Sequence, residues 1–304
     1  MRNQKYEAFL EAARTGSFKQ AASELGYTQA GVSYLANALE KELGVRLFVR
    51  EHGGVRLTSE GTTLLPWIQE VCASERRLEA HLADLKQLEE GSLHIVAFTS
   101  TLTQWLPQIT KRFTEAHPHI DLRITCCDDQ AQLEHIVESG QADVGFVALP
   151  VKRPLEMELL VRDPLLVAVA PDSPFATRKS FPKKALASEP YIKLDSGEYS
   201  EMDRLFRVNG VEPRVRFSIM SDYAAMGMVS AGLGYSVLSG LVLRNAPFGL
   251  VALPAEVPAY REIALAQKSS ETTSGAARAF IECTKGWIRE AYESEPEALL
   301  LKRH

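Results

Sequence analysis

Three glycines, Gly16, Gly26 and Gly44, cut the first 44 residues into three short stretches, and the first two are each followed closely by a residue able to cap a helix. This punctuation constrains the fold more than any other feature of the chain. In the first stretch Tyr6, Phe9, Leu10 and Ala13 fall at helical spacing. Ser17 with Gln20 reads as a capping box opening a second helix through Leu25. Gly26-Tyr27 is a tight turn, and Thr28 can cap a third helix that Gly44 stops after Leu43. Two short helices joined by a glycine-containing turn form a helix-turn-helix, and the Ala21-Ala22 pair suits their close crossing.

After Gly44 the period changes from helical to alternating. Val45, Leu47 and Val49 alternate with Arg46, Phe48 and Arg50, Glu51-His52-Gly53-Gly54 turns, and Val55-Arg56-Leu57 returns. That pattern predicts a two-stranded wing with a glycine-rich tip. Thr58 can then cap a helix running without a strong break from Ser59 to Glu90. Leu64, Ile68, Val71, Leu78, Leu82 and Leu85 mark an apolar seam along it, interrupted by Glu75, with Pro66 in its first turns. A helix of about 30 residues is longer than one small domain covers, so the seam predicts a partner helix from a second subunit.

From Gly91 onward strands and helices alternate. Strands are expected at Leu93–Phe98, Ile120–Thr125, Val144–Leu149, Leu159–Ala170, Tyr191–Leu194, Val215–Ile219, Gly234–Ser239 and 260–267. Helices are expected at Thr103–His117, Ala131–Ser139, Met202–Val208, Tyr223–Ala231 and 273–291. The pattern predicts a mainly parallel sheet with ligand sites at strand C-terminal ends. Its length allows two lobes, with Pro150–Pro154 and Ala255–Pro258 as the crossings between them.

Charge and composition narrow the function classes. The net charge of -5 rules out bulk-charge binding to nucleic acid or membrane. Residues 1–60 carry eight Lys/Arg against seven Asp/Glu, so any DNA contact must come from a local patch. No apolar run reaches the roughly 18 residues of a membrane span, and the polar start lacks the apolar stretch of a signal peptide. A cytoplasmic chain is expected. Four cysteines in 304 residues make no disulfide framework. Cys126 and Cys127 point to opposite faces of a strand and cannot easily chelate one ion, and no ligand-spaced His/Cys cluster flanks them. No metal or cofactor is expected. Gly232-Leu233-Gly234-Tyr235-Ser236 completes neither a dinucleotide loop nor a nucleophile elbow.

The N-terminal string Phe9, Gly16-Ser17-Phe18, Ala21-Ala22, Leu25, Thr28-Gln29, Val32-Ser33, Leu39-Glu40, Leu43-Gly44-Val45-Arg46-Leu47-Phe48, Arg50, Val55-Arg56-Leu57-Thr58 and Glu60-Gly61 resembles the winged helix-turn-helix of LysR-type transcriptional regulators. Leu133, Gly140, Asp143, Gly145 and Gly232-Leu233-Gly234 resemble that family's effector domain. The resemblance implies an α/β chain with an N-terminal all-α winged helix-turn-helix over 1–58 and a linker helix over 59–90. It also implies a two-lobed, periplasmic-binding-protein-like effector domain over 91–304, with one lobe at 91–161 and 267–291 and the other at 162–266. By the same resemblance the chain is a sequence-specific DNA-binding transcription regulator and not an enzyme. It pairs as a homodimer through 59–90, assembles further into a homotetramer, and responds to a small-molecule effector held between the lobes. The alternative at this point is a ligand-binding protein or enzyme of that two-lobed fold with an accessory helix-turn-helix.

Side-chain chemistry nominates the contacts. Thr28, Gln29, Ser33, Tyr34 and Asn37 include positions facing away from Val32, Leu35 and Leu39, where amide and hydroxyl groups can read base edges. Ser17 joins them at the helix-turn-helix, and Arg50 and Arg56 on the wing suit phosphate or minor-groove contact. Arg46 is expected in a buried salt bridge instead. For the effector, the first strand ends at Thr99-Ser100-Thr101, whose hydroxyls and free N–H groups suit an anion such as a carboxylate. The resemblance adds the Cys127-Asp128-Asp129 turn, Ser221 and Tyr223 to the same cleft. Asp195, Glu198 and Tyr199 in the 193–200 loop are candidates for an amine or hydroxyl-rich effector.

Overall fold

The structure is a computed structural model, and it describes residues 3–51, 54–85, 91–194, 202–295 and 298. The chain forms two compact units, the first holding the described residues up to Leu85 and the second almost all of those from Gly91 onward. Among the described residues no helix is long and apolar enough to cross a membrane.

In the first unit the helices are α1 (Gln4–Thr15), α2 (Phe18–Leu25), α3 (Gln29–Leu43) and α4 (Ser59–Leu85). A hairpin of β1 (Phe48–Glu51) and β2 (Gly54–Leu57) lies between α3 and α4. Gly16, Gly26 and Gly44 end α1, α2 and α3 with φ of 64°, 70° and 72°, the left-handed conformation that glycine adopts without steric cost. Ser17 Oγ accepts from the Gln20 N–H and Thr28 Oγ1 from the Gly31 N–H, so α2 and α3 start at capped ends. Thr58 Oγ1 accepts from the Gly61 N–H and opens α4 in the same way.

The wing differs from the alternating expectation. Leu47 and Phe48 are both buried and Val49 is exposed, because the strand begins only at Phe48. The carboxylate of Glu40 on α3 accepts from the Leu47 and Phe48 N–H groups at 2.7 and 3.0 Å, which turns the chain into the hairpin. Phe48 then packs between Phe9 and Phe18, with ring centroids 5.4 and 5.3 Å away.

The α4 seam is also redistributed. Leu64 and Ile68 belong to the core made with α1 to α3, which Cys72 shares. Among the described side chains of α4, Trp67, Val71, Leu78 and Leu82 are the exposed large apolar ones. The helical spacing of the seam could not separate these two faces, because a helix that leaves its own domain packs inward first and outward later. Of the expected helix, residues 86–90 and the Leu85 side chain lie outside what is described.

In the second unit β3 (Gly91–Ala97), β4 (Ile120–Cys126) and β5 (Val144–Ala148) run parallel, with β3 in the middle. The helices α5 (Thr99–Gln104), α6 (Leu106–Ala116) and α7 (Gln130–Glu138) connect them. The single helix expected over 103–117 starts earlier and breaks at buried Trp105, because Pro107 cannot donate the N–H that would continue the helix. The long strand β6 (Glu156–Val169) follows, then α8 (Lys183–Ser188), β7 (Pro190–Leu194), α9 (Asp203–Asn209) and β8 (Arg214–Ile219). After these come α10 (Asp222–Ser230), β9 (Ser236–Ser239), α11 (Gly240–Leu243), β10 (Val251–Leu253), β11 (Ala259–Gln267) and α12 (Gly275–Ala291).

The seven-stranded sheet is mixed rather than mainly parallel. β6 and β11 are antiparallel to each other, β11 is antiparallel to β5, and β6 is antiparallel to β9 and β10. β6 carries the chain away from the first three strands, and after the intervening elements β11 brings it back beside β6, so the two long strands run in opposite directions. One core contains Leu160 and Val161 of β6 and Ile263 to Ala266 of β11, whereas Leu165, Val167 and Ala259 belong to another. The change of core therefore falls inside the two strands, not at the proline-marked stretches, and residues 263–266 lie with the first lobe. β7 and β8 form a separate parallel pair.

Candidate functional site

Two sites stand out, one in each unit. In the first, α3 presents Gln29, Tyr34 and Asn37 on its exposed side while Val32, Ala36 and Leu39 are buried. Tyr34 is 73% exposed, so it does not pack against the wing. Arg50 reaches from β1 across to α3, where its guanidinium donates to Ser33 Oγ at 3.0 Å and to Asn37 Oδ1 at 3.1 Å. The same guanidinium stands over the Phe18 ring, 5.6 Å from its centroid. Wing and third helix thus form one polar face, joined through Ser33, Asn37 and Arg50. Arg56 is exposed on β2, and Ser17 and Thr28 cap the two helices of the motif. Arg46, expected in a buried salt bridge, is exposed.

In the second unit a cavity of about 750 Å³ lies between the two lobes. Thr99, Ser100, Ser221 and Tyr223 line it, as do Cys127, Asp128 and Asp129. Thr101 does not. It is fully buried, and its hydroxyl donates to the Phe98 carbonyl, because the side chain falls on the inner face of α5. The Thr99 N–H donates to Asp128 Oδ1 and its hydroxyl to Asp128 Oδ2, both at 2.7 Å, so the start of α5 already holds a carboxylate. Ser221 Oγ caps α10 by accepting from the Ala224 N–H. Asp195, Glu198 and Tyr199 lie outside the described residues.

The floor of the cavity is a polar cluster that residue type and period alone do not bring together. Arg261 on β11 is 4% exposed and pairs with Asp163 on β6 at 2.8 Å. It also donates to Ser100 Oγ on α5 at 2.8 Å and to Ser239 Oγ at 2.9 Å, and its guanidinium lies 4.9 Å from the Phe98 ring centroid. Asp163 Oδ1 accepts in turn from the Leu241 N–H. One buried cation therefore ties α5 of the first lobe to β9 and α11 of the second. A signal was available: an arginine in the inward slot of an alternating strand, between Ala259 and Ile263. Arg204 and Arg207 on α9 also line the cavity, and nothing in their sequence distinguishes them from an ordinary solvated helix face.

The remaining chemistry is quiet. Ser236, in the near-motif of residues 232–236, is fully buried and donates to the Ile192 carbonyl. Cys126 is exposed and Cys127 buried, and neither is in a disulfide. Burial pushes the thiols of Cys127 and Cys283 above their ordinary range, and that of Cys72 up to about 11. Iodoacetamide at about pH 8 is therefore expected to alkylate Cys126 first, as mapped by peptide mass spectrometry; equal early labelling of Cys127 would contradict this.

Comparison with known proteins bears on both units. Residues 4–62 match the family described as bacterial regulatory helix-turn-helix protein, lysR family, and residues 86–289 match the LysR substrate binding domain. The chain is 31% identical over 280 residues to the RuBisCO operon transcriptional regulator of Allochromatium vinosum, covering 90% of this chain and 92% of that one. It is 29% identical over 282 residues to the helix-turn-helix regulator YvbU of Bacillus subtilis, covering 92% and 96%. Among solved structures, CbnR, a LysR family transcriptional regulator, superposes with a TM-score of 0.70 at 21% identity, covering 95% of this chain and 99% of the other.

Proposed function

The chain belongs to the LysR family of DNA-binding transcriptional regulators with an effector-binding domain, and from that premise we propose which residues carry its two activities. Gln29, Tyr34 and Asn37 read base edges from α3. Ser17, Thr28, Ser33, Arg50 and Arg56 hold phosphates, and the cavity between the lobes takes the effector, with Thr99, Ser100, Ser221 and Tyr223 in its wall. The observation that carries the DNA assignment is the bridge from Arg50 to Ser33 and Asn37, which puts wing and helix on one face. Ser236 spent on a backbone carbonyl supports action by binding rather than by catalysis. The compartment that fits is the cytoplasm, where the DNA is.

Selecting duplexes from a random library with the full chain tests the first assignment. Gln29→Ala is expected to cost about 1–3 kcal/mol on the selected sequence and to relax one position of it, whereas Arg56→Ala weakens all sequences alike. Loss of affinity without any change of preference in the Gln29 variant would sink the base-reading role. The few basic groups of the first unit correspond to about 4–6 phosphate contacts per dimer, so log K should fall against log salt with a slope of about -4 to -5. A slope steeper than about -8 would reject that count.

The dimer is assigned to α4. Trp67, Val71, Leu78 and Leu82 leave an apolar stripe exposed along it, with a shallow groove beside Trp67 and Leu78. An exposed apolar stripe on a helix this long fits a second copy of the same helix. Leu78→Glu with Leu82→Glu is expected to halve the mass of the particle that carries α4 pairing, read by light scattering. An unchanged mass would place the interface elsewhere. Effector control then requires unequal ligand affinity for the two arrangements of the lobes.

A further inference from the structure

Resting on the assignment of the cavity to a small-molecule effector, we infer that this effector is a dianion on an apolar body, held by Arg204 and Arg207 of α9. Among the described residues, three carboxylates, Asp128, Asp129 and Asp222, and three guanidiniums, Arg204, Arg207 and Arg261, line the cavity. Counting charges therefore chooses no sign for the ligand. The choice is made by which of these groups already have work.

The carboxylates are occupied at helix starts. Asp128 takes both the N–H and the hydroxyl of Thr99 at the head of α5. Asp129 Oδ1 accepts from the Ala131 and Gln132 N–H groups at 2.9 and 3.1 Å, in the first turn of α7. Asp222 stands in the first turn of α10, where the positive end of the helix favours it. Arg261 is committed to Asp163, Ser100 and Ser239. Arg204 and Arg207 differ from all of these. They lie three residues apart on α9, both are exposed, and among the described residues no carboxylate pairs with either.

Helix N-termini are the ordinary seats for an anion, and here they are taken, by Asp128 at α5 and by the Ser221 hydroxyl at α10. An incoming anion therefore finds its donors on α9. Two guanidinium forks on one helix face match two carboxylates or one phosphate monoester. Leu194, Val208, Met220, Tyr223 and Pro150 supply the apolar walls, and a cavity of about 750 Å³ suits a small molecule of that kind.

The test is calorimetric titration of the full chain with four probes of similar body: phenylphosphate, phenylsuccinate, phenethylammonium and phenethyl alcohol. Saturable binding of phenylphosphate or phenylsuccinate, without phenethylammonium, is expected, and whichever anion binds tells phosphate from dicarboxylate. Arg204→Gln with Arg207→Gln should weaken that binding about tenfold or more, whereas Arg178→Gln, outside the cavity, should not. An unchanged unliganded melting midpoint shows that the double variant is folded. Undiminished anion binding in the double variant, or binding of the cation or the alcohol alone, would overturn the inference while leaving the cavity as the effector site. Silence from all four probes would count against the effector site itself, and this assignment falls with it.

Discussion

Arg261→Met is expected to cost the second unit about 3–5 kcal/mol of unfolding free energy, the largest effect of any single change near the cavity. The reason is the partner left behind. Asp163 is as buried as Arg261, and without the guanidinium it keeps only the Leu241 N–H among the contacts described above. The Ser100 and Ser239 hydroxyls lose their donor as well. Removing both charges together, Arg261→Met with Asp163→Leu, should recover much of the loss, because no uncompensated charge then remains in the core. Urea unfolding followed by tryptophan fluorescence measures this, since Trp105 lies buried in the core of the first lobe. A single variant as stable as the parent would mean that water or backbone groups satisfy Asp163 equally well. The same cluster joins elements of both lobes, so the double variant also tests whether the cavity keeps its ligand affinity once that tie is apolar.

Phe48→Ala is expected to have a comparable effect on the first unit, again about 3–5 kcal/mol. The Phe48 ring fills the space between Phe9 and Phe18, and Phe18 in turn carries the Arg50 guanidinium on its face. A domain of some 60 residues has a total stability of only about 3–9 kcal/mol, so the loss leaves a large unfolded fraction. Apparent DNA affinity then falls in proportion to the folded fraction, although Phe48 lies in the core of the unit. Phe48→Leu keeps most of the volume and should cost less than the alanine change, with DNA binding largely retained. Equal losses in the two variants would show that the aromatic ring itself, not the filled volume, positions the wing.

The two units were legible in the sequence to different depths. In the first, almost every boundary follows from residues within four positions of it. Ser17, Thr28 and Thr58 cap the helices that they precede, and three glycines end the helices that they follow. Such signals are local, so they survive translation into structure. In the second unit strand and helix positions were mostly readable from period, while the direction of β6 and β11 was not. Hydrophobic alternation reports which face of a strand is buried and carries nothing about the direction of its neighbour.

The candidate sites divide along the same line. Residue type marks Ser33, Asn37 and Arg50 separately, and the fold joins them across 13 to 17 positions of sequence. The cavity floor is out of reach of any such argument. Arg261 meets Asp163 across 98 positions and Ser100 across 161. Thr99, whose type and position suit an anion donor, spends its N–H on Asp128 29 positions away. By itself the sequence determined the winged helix-turn-helix, the order of the α/β elements and the polar character of the exposed face of α3, because caps, turns and period are set by near neighbours. Tertiary structure alone decided which face of α4 stays exposed, where the lobes exchange strands, and which charges at the cavity are spent. Those outcomes depend on which distant groups reach one another, and hydrogen bonds and buried ion pairs are satisfied by proximity in space.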